Sequence, residues 1–108
     1  RYTASLSVSD ELKTPFVRDD SLSAWAQYSL LSSKKEAILD ALKKAGVPTA
    51  IYYPKPLHLQ GAYNYLGYIE GDFPVSEISA GMIFSLPMHP YLTGQEQKLI
   101  TDAILSAV

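Results

Sequence analysis

Nine consecutive residues concentrate the chain's chemistry. The segment Tyr52-Tyr53-Pro54-Lys55-Pro56-Leu57-His58-Leu59-Gln60 carries two phenols, an ammonium, an imidazole and a carboxamide. Aromatic faces with polar tips suit a sugar or nucleotide, and phenol and amide groups hydrogen-bond hydroxyls and phosphates. Tyr52, Tyr53, His58 and Gln60 are therefore the candidate binding residues. The same aromatics would equally serve to pack a small core. Lys55 invites a Schiff-base role, which requires an amine with a depressed pKa, from burial or a cationic neighbour. Its place between two prolines predicts an exposed loop instead. His58 and His89 lie 31 residues apart without an HExxH spacing, so no metal site is expected. Glu70 and Asp72 are a conceivable acid/base pair for glycoside chemistry, but loop carboxylates are mostly solvated. No GxSxG, Walker or GxGxxG pattern occurs, and the absence of cysteine excludes a thiol nucleophile, a thiolate zinc site and a disulfide scaffold. No catalytic residue is assigned.

These groups need elements to position them. Residues 22–31 alternate in polarity and carry aromatics, which predicts a half-buried strand, with a helix as the alternative. Residues 33–45 predict the clearest helix, opened by a Ser33/Glu36 capping box and closed by Gly46 and Pro48. Its apolar face is Ala37, Ile38, Ala41, Leu42 and Ala45, with Lys34 and Lys35 outward. Thr49–Tyr53 predicts a short strand ending at Pro54. Residues 57–72 form a long aromatic connection, helical in part around 59–66; connections of this length tend to be functional. Pro74 opens a short helix with Val75, Ile78 and Met82 on one face. Ile83–Leu86 predicts a strand. Thr93 and Glu96 cap a last helix whose face is Leu99, Ile100, Ala103, Ile104 and Ala107. Tyr2, Leu6 and Val8 read as the end of a helix. Two amphipathic helices require a sheet face to cover, so the expected fold is α+β, a two-layer sandwich on a small, mainly antiparallel sheet.

The 108 residues predict one domain, with residues 1–20 as a connecting segment. A net charge of −2 gives no basic footprint for nucleic acid. No apolar run approaches the ~18 residues of a membrane span, and no secretion signal opens the chain. With no cysteine, a reducing, cytoplasmic setting is expected. Five of the eight tyrosines fall between Tyr52 and Tyr68, the compositional mark of a site.

Four pieces, in order and at matching spacing, resemble the DegT/StrS family of sugar aminotransferases. They are Trp25-Ala26-Gln27-Tyr28-Ser29, the run Tyr52–Gln60, Gly71-Asp72-Phe73-Pro74-Val75-Ser76-Glu77, and Ser85-Leu86-Pro87-Met88-His89-Pro90-Tyr91-Leu92. The resemblance covers the chain from about residue 20 onward. It implies an enzyme of the aspartate-aminotransferase fold that uses pyridoxal phosphate to move an amino group, usually from glutamate, onto a nucleotide-linked keto sugar. It further implies that this chain is the small C-terminal domain. The cofactor lysine would lie in a large domain preceding Arg1, and the whole enzyme would form a homodimer. Tyr53 matches a family tyrosine at the edge of the active site, whereas Tyr52 stands where histidine is commoner. His58 and Gln60 would line the sugar side; His89 and Tyr91 would fix the turn before the last helix. The alternative reading is a free-standing α+β module that binds a ligand or partner without catalysis.

Overall fold

The computed structural model describes residues 1–108. Helix α1 is Tyr2–Leu6, strand β1 is Tyr28–Leu31, and helix α2 is Lys35–Lys44. Two 3₁₀ turns follow, Leu57–Leu59 and Gly61–Leu66. Helix α3, Pro74–Met82, runs directly into strand β2, Ile83–Leu86, and helix α4, Gly94–Leu105, comes last.

β1 and β2 pair antiparallel, with Tyr28 opposite Leu86 and Leu30 opposite Phe84. Side chains directly opposite share a face, and these four are buried together. Single bridges extend the sheet on both edges, Lys13 to Leu31 and Ala50 to Ser85. Ile38 and Leu42 of α2 and Ile100 and Ile104 of α4 cover the apolar face, and Tyr2 and Leu6 of α1 join them. This is the expected α+β arrangement around a small antiparallel sheet. None of the helices is long and apolar enough to cross a membrane.

Several local expectations are corrected. Residues 22–27 are not strand. Trp25 has φ of +48°, which breaks the extended run, and its ring packs 5.2 Å from Tyr28. Thr49–Tyr53 contributes one bridge at Ala50 rather than a strand. The Ser33/Glu36 box does not form. Ser32, buried one residue earlier, accepts the Lys34 amide through its hydroxyl, and α2 begins at Lys35. Lys35 points inward, with Nζ 3.5 Å from the Ala80 carbonyl. Of the α2 face, Ala37 is exposed. Val75 and Ile78 of α3 are 79% and 62% exposed, so most of that apolar face is left open, and only Met82 at its end is half-buried.

The last helix keeps its expected cap in full. Thr93 Oγ1 accepts from the Glu96 amide at 3.2 Å, and Glu96 Oε2 accepts from the Thr93 amide at 2.7 Å. The Thr93 hydroxyl, the Thr93 amide and nearby His89 hold the Glu96 carboxyl below its ordinary value of 4.5. A depressed carboxyl stabilises the fold above its unfolded pKa, and that contribution is lost as pH falls through the folded pKa. The unfolding midpoint is therefore expected to drop as pH is lowered past 4.5. Glu96→Gln should flatten this acid limb; an unaltered limb would contradict the coupling. Thr93→Ala is expected to cost about 1 kcal/mol by denaturant titration at neutral pH.

Candidate functional site

The two candidate phenols sit at one end of the sheet. Ala50 hydrogen-bonds both ways with Ser85, at 2.7 and 3.3 Å, which anchors the strand-like segment to β2. Two residues later the Tyr52–Tyr53 peptide bond is cis. The rings stand edge to face, 6.0 Å apart. Tyr52 borders an open cleft of about 320 Å³ with Ala26, Gln27, Ser85, Pro87 and Met88. Tyr53 is 72% exposed, so its phenol is available to a ligand. Trp25 and Tyr2 both pack on the Tyr28 ring, at 5.2 and 5.1 Å, and the Tyr2 hydroxyl donates to the Pro87 carbonyl, on the cleft's lining, at 3.0 Å. Burial, with Glu96 and Tyr28 adding to it, pushes the Tyr2 phenol up to about 12, so it stays a neutral donor.

His58 lies apart from this pair. Its side chain is 8% exposed and its Nε2 is 3.0 Å from Glu77 Oε1. The ring packs 4.7 Å from Phe73, which in turn meets Tyr68 edge-on at 5.0 Å. Together with Leu57, Tyr63 and Leu66 these rings line a second cleft of about 320 Å³, almost wholly apolar. Glu77 also accepts from the Gly71 amide at 3.0 Å and the Phe73 amide at 3.2 Å. Those bonds, the Gly71 amide foremost, hold the Glu77 carboxyl below its ordinary range. The sequence motif contained Glu77 but gave it no role. A signal was present: Phe73 precedes the helix where Ser, Thr, Asn or Asp would cap it, so another acceptor is needed, and a glutamate in the first turn also suits the helix dipole.

The four candidates thus divide. Tyr52 and Tyr53 share the sheet-end site, and His58 belongs to the aromatic cleft. Gln60 follows His58 by two residues, its amide donating to the Lys55 carbonyl at 3.3 Å. His89 and Tyr91 are exposed at the turn before α4. The Asp72 carboxylate accepts the Ile69 amide at 2.8 Å, a loop-forming contact rather than an acid/base pairing with Glu70. Pyridoxal phosphate would need an amine in a pocket. Neither cleft is lined by lysine or arginine. Lys55 is exposed, and Lys35, the buried one, lies against the Ala80 carbonyl. Neither of these two clefts offers an amine to anchor that group. Orienting a ligand through phenols and aromatic faces is the chemistry this arrangement offers.

Comparison with known proteins gives a consistent picture. The profile of the DegT/DnrJ/EryC1/StrS aminotransferase family matches residues 1–105. A pleiotropic regulatory protein of Geobacillus stearothermophilus is 37% identical over 105 residues, covering 95% of this chain and 28% of that protein. The UDP-2-acetamido-2-deoxy-3-oxo-D-glucuronate aminotransferase of Pseudomonas aeruginosa is 40% identical over 91 residues, 84% of this chain and 24% of its own. A DegT DnrJ EryC1 StrS aminotransferase from Brucella abortus superposes with a TM-score of 0.86 at 42% identity, covering 97% of this chain and 28% of that one. S. venezuelae DesV, solved in complex with a ketimine intermediate, superposes with a TM-score of 0.91 at 26% identity and the same coverage. The chain spans 24–28% of the length of these two curated relatives.

Proposed function

Because the chain belongs to the DegT/DnrJ/EryC1/StrS aminotransferase family, we propose that it is the small C-terminal domain of a longer enzyme. That enzyme transfers an amino group from glutamate to a nucleotide-linked keto sugar. The observation that carries this reading is the family match over residues 1–105, on a chain that covers only 28% of the Brucella aminotransferase structure. The names of the relatives agree with it, the Pseudomonas protein being named for a UDP-linked 3-oxo sugar acid.

The division of labour follows from the donor set. With no amine facing either cleft, pyridoxal phosphate and its lysine belong to the part of the enzyme outside these residues. The present residues bind and orient. Tyr52 forms the wall of the sheet-end cleft, and Tyr53 offers a free phenol to a sugar hydroxyl or a phosphate oxygen. His58 and Gln60 shape the loop that follows. Fixing the sugar at the reacting carbon and excluding water are positioning effects, worth several orders of magnitude when geometry is tight. The largely open apolar face of α3 supports a larger assembly, since a helix apolar on several sides is normally covered. We place the whole enzyme in the cytoplasm as a homodimer.

An amino-transfer assay tests this. The whole protein, supplied with pyridoxal phosphate, glutamate and nucleotide-linked keto sugars, is expected to release 2-oxoglutarate. Residues 1–108 alone are expected to release none. Turnover by the isolated chain would sink the division of labour, and no turnover by the whole protein on any keto sugar nucleotide would sink the function.

A further inference from the structure

Residues 52–73 contribute nothing to the core cluster, whose buried members stop at Val47 and resume at Phe84, with Ile51 half-buried against it. The loop and turn backbone hydrogen bonds of this connection are short-range: Leu59 to Pro56, Gln60 to Leu57, Tyr63 to Gln60, Gly67 to Asn64, Asp72 to Ile69, and Glu77 to Phe73 at the start of α3. Its side-chain bonds are equally local, Gln60 to Lys55 and Ile69 to Asp72, with one exception. The exception is the Glu77 carboxylate on α3. It meets His58 Nε2 at 3.0 Å, both of its oxygens meet the Gly71 amide at 3.0 Å, and Oε1 meets the Phe73 amide at 3.2 Å. One side chain therefore fastens both ends of the aromatic connection to a helix that continues without a break into β2.

We propose that Glu77 is a positioning residue. With His58 it clasps residues 57–73 against α3 and so sets the shape of the aromatic cleft in the connection that follows Tyr52 and Tyr53 in the chain. Hydrogen bonds to a charged acceptor are stronger than neutral ones, and both amides of this clasp are exposed, so water replaces the carboxylate when it is removed. Removing the carboxylate frees the His58 ring and the Gly71 and Phe73 amides at once. What remains is local: the aromatic contacts of Phe73 with His58 and Tyr68, the short-range bonds within the connection, and the Glu77 backbone amide on the Phe73 carbonyl at the helix start. The kinetic consequence rests on the sugar-aminotransferase reading; the structural one does not.

The experiment compares Glu77→Ala and Glu77→Gln in the whole enzyme, with His58→Ala as a second route to the same clasp. Hydrogen exchange of the Gly71 and Phe73 amides is read first. Glu77→Ala is expected to speed it about tenfold or more, the loss of one charge-assisted bond. Exchange across α2 and α4 should be unchanged, which separates a freed loop from an unfolded domain. Glu77→Gln keeps one carbonyl oxygen and should recover most of the protection. Kinetically, KM for the sugar nucleotide should rise about tenfold in Glu77→Ala, with kcat and KM for glutamate within about twofold, the signature of lost substrate positioning. Unchanged exchange overturns the clasp. Faster exchange with an unchanged sugar KM overturns its role in the site. A wild-type enzyme that turns over no sugar nucleotide would reject the function proposed above, and the exchange rates would still decide the clasp.

Discussion

Phe84→Ala is expected to remove about 3–5 kcal/mol of stability, the largest loss from any single substitution in this chain. Phe84 is fully buried in the middle of β2, opposite Leu30, where both helical and sheet contributions to the core converge. Only 17 of 108 residues are buried. With so few, the cavity left by a phenyl ring cannot be filled by neighbours without moving the sheet. The loss is a large fraction of the stability of a typical small domain, roughly 5–15 kcal/mol. Urea unfolding followed by far-UV circular dichroism measures it. Phe84→Leu, which keeps most of the volume, should lose far less. Equal midpoints for Phe84→Ala and wild type would show that the sheet face is not the core.

The second large effect is on binding. Tyr52→Ala combined with Tyr53→Ala is expected to lower kcat/KM for the sugar nucleotide about a hundredfold in the whole enzyme. Two phenolic donors are lost, and hydrogen bonds to charged groups contribute about 1.5–3 kcal/mol each, of which 1.4 kcal/mol is already tenfold. Tyr52 and Tyr53 are 44% and 72% exposed and outside the core cluster, so the variant should unfold at the same denaturant concentration as wild type. KM for glutamate should stay put, because the phenols are proposed to touch only the sugar side. Steady-state kinetics with each substrate varied in turn separates the two. An equal loss toward glutamate would move the pair from sugar binding to a general structural role.

How much of this was legible in the sequence depends on the kind of signal. The last helix was readable to its cap because Thr93 and Glu96 satisfy each other locally, without help from the rest of the chain. Gly46 was readable for the same reason: its φ of +72° is a backbone demand that glycine meets. The Ser33 cap failed because a competitor one residue earlier, Ser32, was buried in position to take the amide. Alternation over residues 22–31 was real, but periodicity does not report a single left-handed residue, and Trp25 ends the strand pattern. Val75 and Ile78 formed the apolar face that spacing predicts, yet spacing is silent on what lies opposite, and here most of that face is left open. At the site, residue types identified the Tyr52–Gln60 run, whereas its division into two clefts depends on contacts 19 residues apart, His58 with Glu77. For Glu77 the uncapped Phe73 signals that an acceptor is needed, but not which one: two of its partners are backbone amides and the third, His58, is 19 residues away.

The most direct measurement is the fate of nitrogen. Incubating the whole enzyme with ¹⁵N-labelled glutamate, pyridoxal phosphate and a nucleotide-linked keto sugar should place the label on the sugar carbon that bore the keto group. The Tyr52→Ala/Tyr53→Ala enzyme should transfer it far more slowly at limiting sugar. Label that remains on glutamate, or that reaches the sugar at the same rate with both phenols removed, would contradict the assignment of this domain to the sugar side of an aminotransferase.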